Sequence, residues 1–299
     1  MPITLFDTFF PVNLLLRSLV FLCLAGPVAA QVAINIKMDR RNYMVDEAAS
    51  AVVTITNRSG RELFLHSKSM GRSVRSWLDL QVRSGTGRQL QQLKIPGFRA
   101  ARVPAGQSVS KRIILNHYFR LAEPGLYIVN AVVSDPASNL SYKSGTTNFT
   151  LANGRNLQRF SFGVPKSKAP LREYKVLSFN DGKKTSVFAQ VMDKKRSRSL
   201  GNLRLGNAML FFKPRASIDS KNNLHVLYLA KPEVYVHATV NQNCKLVGFQ
   251  FYKRGRSGQP RFVSFANGEV KVQGGIPFDP SAERRQQIHA RRLSDRPGQ

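Results

Sequence analysis

Apolar and polar residues alternate in short stretches along the first half of the chain. Alternation with a period of two predicts strands that bury one face. Turn-forming residues separate these stretches, as at 57–60 and 124–125. Many short strands at this spacing are typical of a β-sandwich or a barrel. The predicted strands cover residues 34–38, 51–56, 63–66, 78–82 and 126–133.

A second series of predicted strands runs from about residue 160 to residue 276. Tight polar turns join them, which predicts an antiparallel meander that forms a small sheet or barrel. We therefore predict an all-β fold with an N-terminal sandwich and a second antiparallel β-domain. The predicted strands of this second part cover residues 187–191, 216–218, 224–229, 234–240 and 246–252.

The chain length is also better suited to two domains than to one. Residues 153–156 and 165–170 have the composition of linkers, so we expect the two domains to fold separately. The predicted divisions are a signal peptide over 1–30, a sandwich over 31–156, a second β-domain over 157–276, and a basic, flexible or partly helical tail over 277–299.

Four segments of the first domain resemble the immunoglobulin-like domains of bacterial secreted proteins. These segments are residues 43–47, 54–60, 103–109 and 124–129. The resemblance implies a sandwich over about residues 32–152, with Tyr127 at the position of the corner tyrosine. The cysteine pair of antibody domains is absent, so the resemblance concerns architecture alone.

The second half contains a further resemblance, over residues 216–252, to a single blade of a bacterial β-propeller. A closed propeller needs four or more blades, and the second domain is too short to supply them. A small sheet or barrel is therefore the better prediction.

The N-terminus has the order of features of a secretory signal. Arg17 precedes a short apolar run over 18–25, and small residues end the segment at Ala30. A membrane anchor over 9–30 is disfavoured, because Arg17 would lie near its middle. We therefore expect cleavage after Ala30, export to the periplasm, the cell surface or the exterior, and no transmembrane segment in the mature chain. Only Cys244 would then remain, which excludes an intramolecular disulfide.

The chain is strongly basic, with 46 Lys and Arg against 17 Asp and Glu and a formal net charge of +29. Such a charge attracts anionic partners: an acidic glycan, lipid phosphate, nucleic acid or an acidic protein. The alternative interpretation is a generally solvated basic surface. Phe211 and Phe212 lie near the densest basic stretch. The predicted binding residues are Lys194, Lys195, Arg196, Arg198, Arg204 and Arg215.

Sequence motifs for catalysis are absent: no H-E-x-x-H, G-x-S-x-G or phosphate-loop string occurs. We predict no catalytic residue and no cofactor. The function predicted is an exported, non-enzymatic binding or scaffolding protein. The alternative is a secreted hydrolase or lyase acting on an acidic polysaccharide, which a concave site with two carboxylates, or a carboxylate and a histidine, would favour. The carboxylates to check are Asp46, Glu47, Asp79, Asp193 and Asp219.

His225 and His237 lie on two consecutive predicted strands. If an even-numbered loop joins these strands, the two side chains point to opposite faces of the sheet. A shared metal ion is then disfavoured, and we predict no metal site. A loop of odd length would reverse this conclusion.

Overall fold

The computed structural model describes residues 32–70, 73–165, 167–256 and 258–283. The predicted signal peptide and the tail from residue 284 lie outside the described residues. The prediction of an all-β fold is confirmed, because strands β1 to β23 make up nearly all of the regular secondary structure of the described chain, with one short 3-10 helix and a helical turn at 280–283. Within the described residues no helix is long and apolar enough to cross a bilayer.

We call the part formed by the first twelve strands the first domain. The five strands predicted for the first half of the chain are all among them. Their bounds are β1 Val32–Met38, β2 Asn42–Met44, β3 Ser50–Asn57, β4 Leu63–Leu65, β5 Lys68–Met70, β6 Ser73–Arg75, β7 Leu78–Ser84, β8 Ala101–Val103, β9 Ser108–Ile114, β10 Gly125–Asp135, β11 Leu140–Lys143 and β12 Thr147–Ala152, with the 3-10 helix at Leu115–His117.

Two main sheets enclose the core of the first domain. One has the order β1-β3-β9; in the other, β10 pairs with β7 on one side and with β11 and β12 on the other, and β2 joins β12 in parallel. Alternate residues of β3 are buried, as its period-two pattern predicted. Trp77, Tyr43 and Phe149 are among the largest side chains of the core. The Tyr127 hydroxyl donates to Glu123 O at 2.8 Å, which is the backbone contact of a corner tyrosine.

The remaining strands form the second domain. Their bounds are β13 Arg155–Gly163, β14 Leu171–Asn180, β15 Thr185–Asp193, β16 Arg198–Asn207, β17 Arg215–Ile218, β18 Leu224–Lys231, β19 Val234–Val240, β20 Leu246–Arg254, β21 Arg261–Ser264, β22 Val270–Gln273 and β23 Gly275–Phe278. Residues 280–283 are helical.

The second domain is itself a two-layer sandwich. The predicted meander is present as a sheet of order β17-β18-β19-β20-β23. It packs against a sheet of order β13-β14-β15-β16, and Tyr174, Val187, Val226 and Tyr228 are buried between the two. The hairpin β21–β22 lies against the outer face of the meander, where Phe262 packs beside Leu227.

The turns of this sandwich collect at two ends. The Tyr174 hydroxyl donates to Val240 O, so the start of β14 and the end of β19 lie together. The turns at 194–197, 219–223 and 241–245 share this end, which we call the Cys244 end. The other end carries the turns at 181–184 and 232–233 and the connection over residues 208–214. We call this connection the aromatic loop and this end of the sandwich the aromatic-loop end.

The aromatic loop connects the two sheets across its end of the sandwich. The loop begins where β16 ends. Strand β16 lies beside the β19–β20 turn of the facing sheet, since its residue Gly201 is close to Cys244. The loop enters β17, whose following turn lies beside β13, where Asn222 Nδ2 donates to Gly163 O. On the way Met209 N donates to Leu229 O.

The two domains are in contact through β2 and the turn that follows it. Met44 packs against Leu177, Phe179 and Phe188 on the outer face of the β13–β16 sheet. Three hydrogen bonds surround this contact: from Asn42 Nδ2 to Asp181 O, from Gln190 Nε2 to Asp46 Oδ2, and from Asn202 Nδ2 to Val45 O.

Candidate functional site

The densest predicted basic stretch forms a turn at the Cys244 end. Asp193, which is buried, accepts hydrogen bonds from the backbone N–H groups of Lys195 and Arg196. Lys194 Nζ donates to Ser161 Oγ at 3.0 Å, and Arg198 begins β16. These contacts give the stretch a structural explanation, because a buried carboxylate fixes the turn from which the charges project.

The structure does not bring the six predicted binding residues together. Arg204 lies on the outer face of the β13–β16 sheet and donates to Ser186 Oγ and Asn207 Oδ1. Arg215 begins β17, which follows the aromatic loop. The six predicted residues are thus divided among three places: the Cys244 end, the outer face of the β13–β16 sheet and the aromatic-loop end.

A cavity of about 330 Å³ opens at the aromatic-loop end. Its apolar part is formed by the buried side chains of Leu227, Leu229 and Tyr235. Lys213 and Arg215, both exposed, supply its charge, and the residues that line it include no carboxylate. The lining residues are Gln158, Phe212, Lys213, Pro214, Arg215, Leu227, Tyr228, Leu229, Tyr235, Gln259 and Pro260.

The aromatic loop exposes three consecutive apolar side chains beside this cavity. Leu210 is 38% exposed, Phe211 82% and Phe212 52%. In the sequence the two phenylalanines stand out only as neighbours of a basic stretch. The signal that could have identified the loop is its composition, because residues 208–212 connect two strands without the polar residues that mark the other turns.

More cations surround the loop at the same end of the sandwich. Their side chains are exposed, and they belong to the turns and strand ends next to it. Asp181, Glu233 and Glu283 are the nearby acids, and Glu283 is paired with Lys253. The additional cations are Lys183, Lys184, Lys231, Arg254 and Arg256.

The prediction that His225 and His237 point to opposite faces is wrong. The loop at 232–233 has two residues, but a β-bulge at Ala230 adds one residue to β18 and shifts the register. His225 is therefore opposite Thr239, and His237 is opposite Leu227, on the same outer face.

The two histidines and Asp219 form a hydrogen-bonded chain. His225 Nε2 is 3.2 Å from Asp219 Oδ2, and His225 Nδ1 is 2.9 Å from His237 Nε2. Phe262 packs edge-on against both rings. With Asp219 ionised, both imidazoles can be neutral, and each then donates one proton along the chain towards the carboxylate.

The electrostatics around this hydrogen-bonded chain favour a neutral His237 at neutral pH. Burial, and secondarily His225, lower the pKa of His237 to about 4. Burial opposes the charge of Asp219, but hydrogen bonds from Asn223 and His225 outweigh it and hold its pKa below the usual range. No group of three or more His, Cys, Asp or Glu among the described residues is arranged to hold a metal ion.

The five carboxylates chosen for checking do not converge. Asp46 contacts Gln190 at the domain contact, and burial raises its pKa. Glu47 pairs with Arg40, and Asp79 accepts from Gln92. Asp193 and Asp219 cap two turns, the second being next to His225.

Comparison with known proteins assigns no family. No family model matches the chain, and no curated protein matches it. Among solved structures, it is similar to the Pseudomonas fluorescens alkylpurine DNA glycosylase AlkC bound to DNA containing an abasic site analog, with 16% identity, a TM-score of 0.28, and 46% of this chain matched to 36% of that one. The match therefore spans about a third of the glycosylase.

Two all-β structures are similar at the same level. The CARDB domain of a Pyrococcus furiosus protein, in complex with di-metal ions, matches with 14% identity and a TM-score of 0.23, over 40% of this chain and 87% of that one. The sporulation control protein Spo0M from Bacillus subtilis matches with 9% identity and a TM-score of 0.27, over 59% and 90%. At these TM-scores none of the three assigns a function.

Proposed function

We propose that this is an exported, non-enzymatic binding protein that engages an anionic partner through the aromatic-loop end of its second domain. The observation that carries the proposal is the cavity that Lys213 and Arg215 line without any carboxylate. A buried apolar floor beside two cations suits a ligand with both an anionic and an apolar part.

The charge balance of the described chain supports the same proposal. Among the described residues, Lys213, Arg215, Lys231 and Arg254 at the aromatic-loop end form no ion pair with Asp or Glu, whereas Arg196 at the Cys244 end pairs with Asp193. An excess of unneutralised charge on one surface raises the rate and the affinity with which an anion is captured.

We further propose that the first domain is an immunoglobulin-like sandwich that presents the second domain. Its two main sheets and the Tyr127 contact with Glu123 O support this assignment. The packing of Met44 on the second domain supports a presenting role, because it holds the two domains in contact. Export remains a proposal based on the N-terminal sequence, and intact-mass measurement of secreted protein would test cleavage after Ala30.

The proposal is tested by binding to heparin, a soluble polyanion, as a function of salt. Affinity should fall linearly in a log–log plot; for duplex DNA each phosphate contact adds roughly 0.9 to the slope, and heparin should behave similarly in kind. Three Ser variants with four substitutions each locate the site. They are K213S/R215S/K231S/R254S at the aromatic-loop end, K194S/K195S/R196S/R198S at the Cys244 end, and R58S/R83S/K143S/K271S at dispersed positions.

We expect the aromatic-loop variant to show the largest loss of affinity and the largest decrease in the slope of log affinity against log salt concentration. Equal losses in the three variants would mean that net charge alone matters. A larger loss in the Cys244-end variant would place the site at the other end of the sandwich. Binding that does not depend on salt would overturn the proposal of an anionic partner.

One observation favours the alternative of a hydrolase or lyase. Asp219, His225 and His237 combine a carboxylate with histidines, which is the arrangement that acid–base catalysis uses. This hydrogen-bonded chain lies beneath Phe262, and its residues do not line the 330 Å³ cavity. The hydrolase or lyase is therefore the second candidate function. Depolymerisation of an acidic polysaccharide that is lost in H237Q would favour this alternative.

A further inference from the structure

We propose that the aromatic loop docks on an anionic lipid surface, with Phe211 and Phe212 entering the interfacial layer and the surrounding cations facing lipid phosphates. This inference rests on the proposed function and names the partner. It is carried by the exposure of the loop, by the distribution of charge around it, and by the position of the loop at an end of the sandwich.

The exposure of the loop has no explanation within the described chain. Phe211 is 82% exposed, so most of its apolar surface contacts water, which is unfavourable by roughly 25 cal/mol for each Å². Single exposed apolar residues are ordinary, but Leu210, Phe211 and Phe212 are consecutive. Aromatic side chains beside basic ones are typical of surfaces that lie at the lipid headgroup level.

The loop stands at one end of the sandwich. It crosses this end from one sheet to the other, and the turn at 232–233 lies at the same end, whereas the turn at 181–184 contacts the first domain. Lys213 follows the phenylalanines directly in the chain, Arg215 comes two residues later, and Lys231 and Arg254 lie at strand ends at the same end of the sandwich. Each cation near an anionic leaflet contributes a factor of about five to binding.

The same features disfavour other partners. A second copy of the chain, related by a two-fold axis, would bring Lys213, Arg215 and Lys231 close to their own equivalents, and like charges oppose that contact. A small anionic amphiphile would fill the cavity that Phe212 lines, but Phe211 is not among the lining residues and would stay in water. A lipid surface accommodates both the cations and Phe211.

Co-sedimentation of the purified exported protein with vesicles tests the proposal. We expect binding to vesicles of phosphatidylcholine mixed with phosphatidylglycerol, and little binding to phosphatidylcholine alone. F211S/F212S should reduce the partition coefficient about tenfold or more, because two apolar side chains are removed from the interface. L93S/I95S is the matched control, since it removes two exposed apolar residues from the first domain and should bind as the parent does.

A second pair of variants tests the charges. K213S/R215S should weaken binding to the mixed vesicles by a factor of about 25, at about fivefold for each charge, whereas K194S/R196S at the Cys244 end should have a smaller effect. The proposal is overturned if F211S/F212S binds the mixed vesicles as tightly as the parent, or if the parent binds both kinds of vesicle equally. Light scattering that reports self-association, lost in F211S/F212S, would assign the loop to contact between copies instead.

The heparin measurement separates this inference from the proposed function. Salt-dependent binding to heparin without binding to mixed vesicles overturns the lipid surface and leaves an anionic partner. Absence of both kinds of binding overturns the proposed function as well. L93S/I95S, which changes only the first domain, should keep the parent's affinity for heparin.

Discussion

The two ends of the second sandwich are both basic, but their charges have different surroundings. At the Cys244 end, Asp193 and Asp219 cap the turns, and Arg172 connects the two sheets. At the aromatic-loop end, cations lie beside the exposed Phe211 and around a cavity with an apolar floor. The difference teaches that a dense run of charge along the sequence can have a structural explanation, since a buried carboxylate fixes its turn. We infer that charge next to the three consecutive exposed apolar side chains 210–212 is the more informative combination for the proposed site.

Loss of Arg172 should produce the largest effect that separates the two ends. Its guanidinium is buried and donates to Ala169 O, Gln242 O, Asn243 Oδ1 and Ser167 Oγ. Removing it leaves these acceptors unsatisfied, so R172A should lower the free energy of unfolding by about 4 kcal/mol. Urea denaturation measures this change. R254A, an exposed arginine at the other end, should change stability by less than about 0.5 kcal/mol, and equal effects of R172A and R254A would contradict the contrast.

Thiol reactivity should distinguish the ends next. Cys244 lies in its turn and is half-buried, and burial raises the pKa of its thiol to about 11. At pH 8 it should react with a thiol reagent on the order of a hundredfold more slowly than a cysteine placed in the aromatic loop, because little thiolate is present. The comparison is between the parent and C244S/F211C. Rapid labelling of Cys244 in the folded parent would show that its end is open.

Acid should reveal the hydrogen-bonded chain that begins at Asp219. His237 has a folded pKa of about 4, below its unfolded value, so folding favours the neutral ring. This stability is complete above about pH 6.5 and is lost as the pH falls towards 4. Because the ring is partly exposed, the loss between pH 8 and pH 5 should be at most about 2 kcal/mol.

Urea denaturation in EDTA at these two pH values measures the loss, and H237Q should reduce it. The lowered pKa of Asp219 keeps that carboxylate ionised across the window, so its own contribution is lost only at lower pH. A parent protein that is equally stable at pH 8 and pH 5 would contradict the interpretation of His237.

Removal of the aromatic side chains should have the smallest effect on stability. Phe211 has few contacts within the described chain because most of its surface is exposed. F211S/F212S should therefore unfold within about 0.5 kcal/mol of the parent, while it loses the predicted vesicle binding. A loss of several kcal/mol would mean that the loop serves the fold rather than a partner.

Much of the fold could be predicted from alternation, because strands such as β3 have one buried face. In β15 both faces are buried, and the reason is not local: its outer face carries Phe188, which Met44 of the first domain covers. The placement of His225 and His237 could not be predicted either, since the bulge at Ala230 changes the register without a turn signal. Phe211 is a phenylalanine, a residue type that also occupies core positions, so the residue type alone does not predict exposure. Only the fold shows that its side chain is exposed.

The connection between the domains is very short. β12 ends at Ala152 and β13 begins at Arg155, so two residues tether the domains over a span of about 7 Å. Such a tether gives the two contact surfaces a high effective concentration, of millimolar order or above. The packing of Met44 on the second domain can therefore be weak by the standard of separate proteins and still remain closed most of the time. In the proposed function, the first domain therefore keeps a fixed orientation relative to the second domain when a partner binds at the aromatic-loop end.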